Sequence, residues 1–532
     1  MNAIEERMSV PSWNDTAAAY PGDRCLHQIF EEQVDRDPHA TALVIGRERW
    51  SYRELEDRCN QVAHYLKERG IRQGMYVGIC MHRCPFLIIS MLAVMKVGAA
   101  YVPLDASYPR NRLVEMINSV DLRLLILSER LAAEEVFKNA VTIDIGELSR
   151  ASAHSPCRRL SFFGSVRDLA YLVFTSGTTG RAKAAKVTHR GWTNLLWWFR
   201  TQYSIGPSDR VLVVSSLSFD ITQRSIMMPL VNGGQLHLLA SEAFEPELVI
   251  HTVRDEQITL INSAPSMFYA ILEWPARDIG AMCSLRWVFL GGEPIIAARL
   301  VNWVRSSDCQ ARIANVYGVA ECADVSAAYT LVDYDRYMTG AVPLGTPIAN
   351  SRIYLLDDGK DEVPPGDVAE ICIGGLGVGD GYEGDAELTQ AKFIVDRFAE
   401  EAGGMIYRTG DLGRIGDDGN LEYRGRIDLQ VKIAGVRIEL GDVEAAVRSQ
   451  SDVRDVVVVA AEEMGEKSLI AFVIFKEVLD AAATHRTLHT YMKTRLPSAM
   501  VPRRIIPITS MPLTPNGKVD RKALLRMAAT GR

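Results

Sequence analysis

The segment Tyr171-Leu-Val-Phe-Thr-Ser-Gly-Thr-Thr-Gly-Arg-Ala-Lys183 joins a short apolar run to a turn rich in glycine and hydroxyls. An apolar run of this length that stops at Thr175 reads as a buried strand. Gly177 and Gly180 let the backbone fold tightly and turn several N–H groups inward, Ser176, Thr178 and Thr179 add hydroxyl donors, and Lys183 adds positive charge. Donors and charge gathered at a strand end suit a polyphosphate, although turn chemistry alone fits a plain turn equally well. The spacing is not G-x-x-x-x-G-K-[ST], so P-loop mechanics do not carry over.

On either side of this segment the same pattern recurs: the runs Val211-Leu-Val-Val214 and Trp287-Val-Phe-Leu290 also stop at Ser or Gly. Helical stretches lie between them, over Arg190 to Tyr203 and Ala298 to Ser306, and the alternation predicts an α/β fold with functional residues at strand ends. Leu87 to Met95 is apolar but stopped by Lys96, far short of the roughly 20 residues a bilayer requires, and reads as a buried helix. Turn residues gather in Asp357-Asp-Gly-Lys-Asp-Glu-Val-Pro-Pro-Gly366 and Gly416-Asp-Asp-Gly419, predicting hairpins and a small β-barrel-like region. After Asp428 the pattern changes to strands over Val453 to Ala460 and Leu469 to Phe475 and a helix over His485 to Leu496. The organisation expected is a large N-terminal core of α/β sheets plus that β region, residues 1–427, and a small α+β C-terminal subdomain, residues 428–532.

With 48% hydrophobic and 23% charged residues over 532 positions, the composition is that of a water-soluble globular protein. Lys+Arg number 59 against 66 Asp+Glu, a formal net charge of -7, so no basic surplus points to nucleic acid. The N-terminal stretch Met1 to Asp15 lacks the basic and apolar regions of an export signal, and no membrane association is expected. Nine scattered cysteines, an odd number, fit a reduced cytoplasmic protein and not a disulfide framework. Cys80, His82 and Cys84 lie close together, but no second ligand pair follows at zinc spacing, and they read as ordinary residues.

Other segments give the phosphate-loop candidate company. Asn315-Val-Tyr-Gly-Val-Ala-Glu321 sets an aromatic ring, a flexible glycine and a carboxylate together, as a nucleotide site with a magnesium ligand requires. Tyr407-Arg-Thr-Gly-Asp-Leu412 puts a carboxylate after a glycine turn, suited to gripping two ribose hydroxyls. Gly425-Arg-Ile-Asp428 and Pro515-Asn-Gly-Lys518 add an arginine, a candidate hinge and a lysine on a turn. Further segments in order are Trp50 to Leu55, Lys96 to Asp105, Phe219-Asp220, Leu290-Gly-Gly-Glu293, Ile373-Gly-Gly375, Gln430 to Gly435, Leu496-Pro497 and Asn516 to Asp520. Together they resemble, over nearly the whole chain, the adenylate-forming superfamily of acyl-CoA synthetases and luciferases. The resemblance is strongest to the amino-acid adenylation domains of nonribosomal peptide synthetases.

The resemblance implies ATP-dependent activation of an amino acid to aminoacyl-AMP with pyrophosphate release, then transfer to the phosphopantetheine thiol of a carrier protein, in nonribosomal peptide or related natural-product biosynthesis. ATP and Mg2+ are the implied cofactors. A carboxylate oxygen is a weak nucleophile, so such an enzyme must align it with the α-phosphate and stabilise charge on the leaving pyrophosphate. By the resemblance, Lys518 bridges carboxylate and phosphate, Glu321 holds magnesium, and Thr175, Ser176, Gly177, Thr178, Thr179, Gly180 and Lys183 lie near the departing phosphates. Asn315 reads the adenine amino group, Tyr317 and Gly292 flank the ring with Glu293 and Gly318 beside them, and Asp411, Tyr423 and Arg426 belong to the ribose side. Asp428 is the implied hinge, about which the subdomain swings to withdraw Lys518 and bring Gly435 toward the thioester site.

Several departures accompany the match. Ala182 and Ala184 flank the loop lysine where Pro and Gly are usual, and Val319-Ala320 replaces Pro-Thr before Glu321. The missing threonine hydroxyl removes one phosphate contact, worth roughly 0.5–1.5 kcal/mol, which implies a slower enzyme and not a dead one. Ala434 replaces a common arginine before Gly435 and bears on the carrier step.

Asp220 stands where amino-acid-activating members bind the α-ammonium. The pocket aligned from it adds Ile221, Arg224, Asn262, Phe289, Gly291, Val316, Asp324 and Val325. A buried guanidinium needs a partner. Either Arg224 meets a substrate carboxylate or amide, which slightly favours a polar or acidic amino acid, or it pairs with Asp324 as a neutral wall around a small one such as alanine or serine. Alternatives of another kind are an acyl-CoA ligase, against which Asp220 weighs, and a catalytically idle scaffold, against which Lys518 weighs. The carrier is expected on a separate chain, or this chain is part of a larger synthetase. The partners considered include a small MbtH-like protein, and the expected state is a monomer.

Overall fold

The structure is a computed structural model that describes residues 13–137, 140–162, 164–175, 182–241, 244–274, 279–307, 309–399, 403–428, 430–463, 466–476, 481–512 and 519–530. Two α/β sheets form the bulk of the N-terminal part. In the larger, six parallel strands run in the order Thr41–Ile45, Gln235–Leu238, Arg210–Val213, Leu260–Ser263, Trp287–Gly291 and Arg312–Tyr317, with antiparallel strands at both edges. Runs such as Trp287–Gly291 are apolar with no alternation because helices cover both faces of a parallel sheet. The second sheet runs Thr142–Asp144, Leu122–Leu127, Tyr76–Cys80, Ala100–Leu104, Leu169–Thr175 and Lys183–Thr188. Leu169–Thr175 thus ends where the segment rich in glycine and hydroxyls begins, and Lys183 pairs antiparallel with Thr175.

Helix His189–Tyr203 starts where Thr188 accepts the N–H of Gly191 and stops where Ser204 turns left-handed at φ 53. Helix Pro85–Lys96 is buried from Leu87 to Lys96, as its apolar circumference requires. Its terminal ammonium meets the carboxylates of Glu56, at 2.9 Å, and Glu31. The helix expected over Ala298 to Ser306 is broken into a 3-10 turn, Ala297–Arg299, and a single α turn, Val301–Val304. The N–H of Leu300 bonds three residues back to Ala297, which tightens the backbone and interrupts the α ladder. Among the described residues no helix is long and apolar enough to cross a membrane.

The turn-rich stretch forms an antiparallel five-stranded sheet from Ser351–Leu356, Ala369–Gly375, Phe393–Val395, Met405–Ile415 and Leu421–Arg426. Beyond Asp428 come a two-stranded hairpin, Gln430–Ile433 with Val436–Glu439, and a three-stranded sheet, Val453–Glu463, Glu466–Phe475 and Arg504–Pro507. Val456 and Val458 enter one apolar cluster with Val443 and Leu488, while Val457 and Val459 enter another with Leu524 and Ala528. The β-branched run therefore buries both faces of its strand, under helices Leu440–Arg448 and Ala481–Lys493 on one side and Arg521–Thr530 on the other.

Candidate active site

The ends of Leu169–Thr175, Trp287–Gly291 and Arg312–Tyr317 converge on an open cavity of about 920 Å³. Ligands of α/β sheets gather at such strand ends. The two-residue hairpin turn Ala434-Gly435, both at positive φ, closes its roof. A Cβ on Gly435 would stand 2.7 Å from that of Ala264, so this close approach requires glycine.

Asp220 opens helix Asp220–Asn232, where the unpaired N–H groups and the helix dipole favour a carboxylate. Its Oδ1 accepts the N–H of Ile221 at 2.8 Å. Burial raises its pKa, while that hydrogen bond and the charge of Arg224 pull the other way. One turn along the helix, Arg224 is 1% exposed, its guanidinium 4.8 Å over the ring of Phe199 and its Nε 2.8 Å from Asp324 Oδ2. The local backbone brings Asp324 to it: Gly318 packs so tightly that a Cβ there would fall 1.7 Å from the carbonyl oxygen of Asp324. Ala323 and Asp324 are both left-handed, at φ 55 and 79, a conformation costing about 1–3 kcal/mol per non-glycine residue. Burial pushes the Asp324 carboxyl up to about 7, against the pull of Arg224 and with the push of Asp220.

Of the expected pocket residues, Asp220, Ile221, Arg224, Gly291, Val316 and Asp324 line the cavity. Asn262, Phe289 and Val325 are buried but outside its lining. Arg224 lies over Phe199, whose ring in turn meets Phe289 edge-on at 5.0 Å. The Asn262 amide, beside Phe289 in register, is buried without a hydrogen-bond partner among the described residues.

On the expected nucleotide side, the Tyr317 hydroxyl donates to Asp411 Oδ2 at 2.8 Å, and Arg426 grips Asp411 Oδ1. The other guanidinium nitrogens of Arg426 hold Asp428, at 2.6 and 2.8 Å, so the expected hinge is tied to the ribose-side carboxylate. Tyr423 shares the Arg426 strand and is half-buried, its hydroxyl pushed up to about 12 by burial and by Asp411. Asn315 donates to the Pro343 carbonyl at 2.7 Å. Gly292 lines the cavity, left-handed at φ 86, and Glu293 accepts the N–H groups of Ser266, at 3.2 Å, and Gly435, at 2.8 Å.

Glu321, 1% exposed, accepts the Tyr382 hydroxyl at 2.7 Å and faces Arg437 Nη1 at 3.0 and 3.2 Å. Burial opposes its charge, but the Arg437 guanidinium and the Tyr382 hydroxyl hold it below its ordinary pKa. An ionised carboxylate is a fitting donor for a hard cation. Magnesium is bound through one or two carboxylates plus substrate phosphates, so a single ionised carboxylate suits it. Thr175 lines the cavity, and the Lys183 ammonium lies 5.9 Å from the Tyr382 ring, its pKa lowered by burial. Ser176, Gly177, Thr178, Thr179, Gly180 and Lys518 lie outside the described residues.

A family model described as AMP-binding enzyme matches residues 30–383, and one described as AMP-binding enzyme C-terminal domain matches residues 442–518. The chain belongs to the AMP-binding enzyme family. By that membership it is an adenylating ligase. The chain is 36% identical over 528 residues to tyrocidine synthase 2 of Brevibacillus parabrevis, covering 98% of this chain and 14% of that protein. It is 33% identical over 524 residues to gramicidin S synthase 2 of Brevibacillus brevis, covering 98% and 12%. The AMP-binding enzyme thus spans less than a fifth of the length of these curated relatives. Among solved structures it resembles an NRPS protein containing adenylation and PCP domains bound to a vinylsulfonamide inhibitor. The TM-score is 0.82 at 27% identity, with 95% of this chain and 84% of that chain covered.

Three side chains of this AMP-binding enzyme escaped the sequence reading: Tyr382, Lys432 and Arg437. Lys432 and Arg437 stand opposite each other in the hairpin register and both line the cavity. Their signal was two basic residues placed symmetrically about a Gly turn in Lys432-Ile-Ala-Gly-Val-Arg437. Tyr382 follows Gly379-Asp-Gly381, a turn with nothing local to announce a partner for Glu321.

Proposed function

We propose that this enzyme activates an amino acid with ATP and passes it to the phosphopantetheine thiol of a carrier protein. The observation that carries the reading is the half-buried carboxylate of Asp220 in the same cavity as Thr175 and Gly292, which offers one end to an α-ammonium and the other to a nucleotide. In the first step a substrate carboxylate oxygen attacks the α-phosphorus and the bond to the β-phosphate breaks, releasing pyrophosphate. In the second the thiol sulfur attacks the acyl carbonyl and AMP leaves. Thr175 and Lys183 act on the departing phosphates and Lys518 on the attacking carboxylate, while Asp411 and Arg426 orient the ribose. Glu321 would hold a magnesium ion, which would supply positive charge to the leaving phosphates. A carrier as acceptor is supported by the PCP domain of the similar NRPS protein.

A small uncharged side chain fits the floor better than an acidic one. The Arg224 side chain is 1% exposed against 12% for Asp324 and its charge is answered by Asp324 at 2.8 Å, so an acidic side chain would meet a carboxylate first. Arg224→Ala is expected to open the floor toward Phe199 and shift preference toward aromatic amino acids by about tenfold or more in kcat/KM, read over an amino-acid panel. Because the Asp324 carboxyl sits near 7, the amino-acid KM is expected to rise as pH falls through that value, protonation leaving Arg224 unanswered. Asp324→Asn should flatten that profile. Hydroxylamine trapping tests the whole reading: aminoacyl hydroxamate should form with stoichiometric pyrophosphate release, and its absence with every amino acid would sink it.

A further inference from the structure

Tyr382 touches two groups that the proposed function sets on the leaving phosphates. Its hydroxyl donates to Glu321 Oε1 at 2.7 Å, and its ring centre lies 5.9 Å from the Lys183 ammonium, within reach of a cation–π contact. The segment that carries it is laced to the backbone beside both groups. Lys186 N–H bonds to the Gly381 carbonyl at 3.0 Å and Glu383 N–H to the Ala184 carbonyl at 2.9 Å, so Tyr382 bridges to Ala185 on the strand Lys183–Thr188. On the other side Gly379 N–H bonds to the Glu321 carbonyl at 2.9 Å. Gly377 and Gly379 make this approach possible. A Cβ on Gly379 would fall 2.2 Å from the Lys186 carbonyl oxygen, and one on Gly377 2.8 Å from that of Cys322.

The last torsion of a glutamate is broad, so a carboxylate that takes a cation needs a fixed outside donor to set its plane. Tyr382 supplies one. With its hydrogen spent on Glu321, its oxygen is left to accept from the Tyr407 hydroxyl, 3.0 Å away. Phe393 packs against both rings, 5.7 Å from Tyr382 and 4.9 Å from Tyr407, which holds the pair of hydroxyls in place. We infer that Tyr382 is a positioning residue: its hydroxyl orients the Glu321 carboxylate for the metal while its ring sets where the Lys183 ammonium stands. One side chain thereby fixes the spacing between the negative group that holds the cation and the positive group that meets the phosphates. The inference rests on the reading of Glu321 as the metal carboxylate.

The test uses manganese as the probe. Its binding to the full chain, with ATP present and no amino acid, is followed by the relaxation it imposes on water protons. Tyr382→Phe keeps the ring on Phe393 and Lys183 and removes only the hydroxyl. It should weaken manganese binding by about tenfold, the low end of the roughly 10- to 100-fold loss usual when a ligand's supporting hydrogen bond is removed. The magnesium needed for half-maximal pyrophosphate exchange should rise by the same factor, with kcat recovered at saturating magnesium and the amino-acid KM unmoved. Tyr76→Phe is the control for a merely structural loss, since the Tyr76 hydroxyl donates to Glu383, the neighbour of Tyr382, at 2.8 Å. It should leave manganese binding unchanged. Tyr382→Leu, which also takes the ring from Lys183, should add a severalfold rise in the KM for pyrophosphate that Tyr382→Phe lacks. Unchanged manganese binding in Tyr382→Phe, or an equal loss in Tyr76→Phe, would overturn the positioning role alone. Manganese bound as tightly by Glu321→Gln as by the unmodified protein would overturn the metal reading of Glu321 and the inference with it.

Discussion

Lys518→Ala is expected to reduce amino-acid-dependent exchange of pyrophosphate into ATP by about 10²- to 10³-fold while leaving thiol transfer from a supplied aminoacyl-AMP largely intact. The cause is electrostatic. As the carboxylate approaches the α-phosphate, two anions meet, and an ammonium that bridges them lowers the barrier in the transition state more than in the ground state. The chain just past the lysine is anchored: Asp520 N–H bonds to the Pro512 carbonyl at 2.8 Å, and Val519 packs on the Val457, Ile470 and Phe472 cluster. Substitution at position 518 leaves these contacts of Val519 and Asp520 in place, so the loss reads chemistry and not unfolding. Equal loss of both half-reactions would contradict the assignment.

The second large effect is expected at Asp220. Removing one partner of a buried charge pair costs about 2–5 kcal/mol, so Asp220→Ala should lower kcat/KM for the amino acid by roughly 30-fold or more. The KM for ATP should hardly move, because the nucleotide side is built from Asp411, Arg426 and Tyr317, which do not touch Asp220. Asp220 caps no helix by its side chain except through the short bond to Ile221, so the variant keeps its fold. A parallel rise in both KM values would mean that Asp220 shapes the cavity and does not bind the ammonium.

The α/β alternation was legible because parallel strands bury both faces: Leu169–Thr175, Arg210–Val213 and Trp287–Gly291 read as apolar runs with no alternation, and each ends near the expected residue. The C-terminal sheet was legible in Val456 to Val459, which bury both faces of a strand in an antiparallel pair. What lay beyond the sequence was orientation. The left-handed pair Ala323-Asp324 is not readable from the sequence because Ala disfavours positive φ and Asp adopts it only in some surroundings, yet it decides that Asp324 reaches Arg224. Phe289 and Asn262 are buried outside the cavity lining, although alignment by spacing drew them into the pocket. Arg437 reaches Glu321 across 116 positions, and no local pattern tells which carboxylate a hairpin arginine meets. The break at Leu300 arises from a hydrogen bond three residues back, a choice that an apolar helical spacing does not encode.

The most direct test of the central claim is exchange of labelled pyrophosphate into ATP, measured with each proteinogenic amino acid and with matched carboxylic acids lacking the α-amino group. Exchange driven by one or a few amino acids with small uncharged side chains, and by none of the deaminated acids, is the predicted result. Exchange that is as fast with deaminated acids, or no exchange with any substrate, would contradict it.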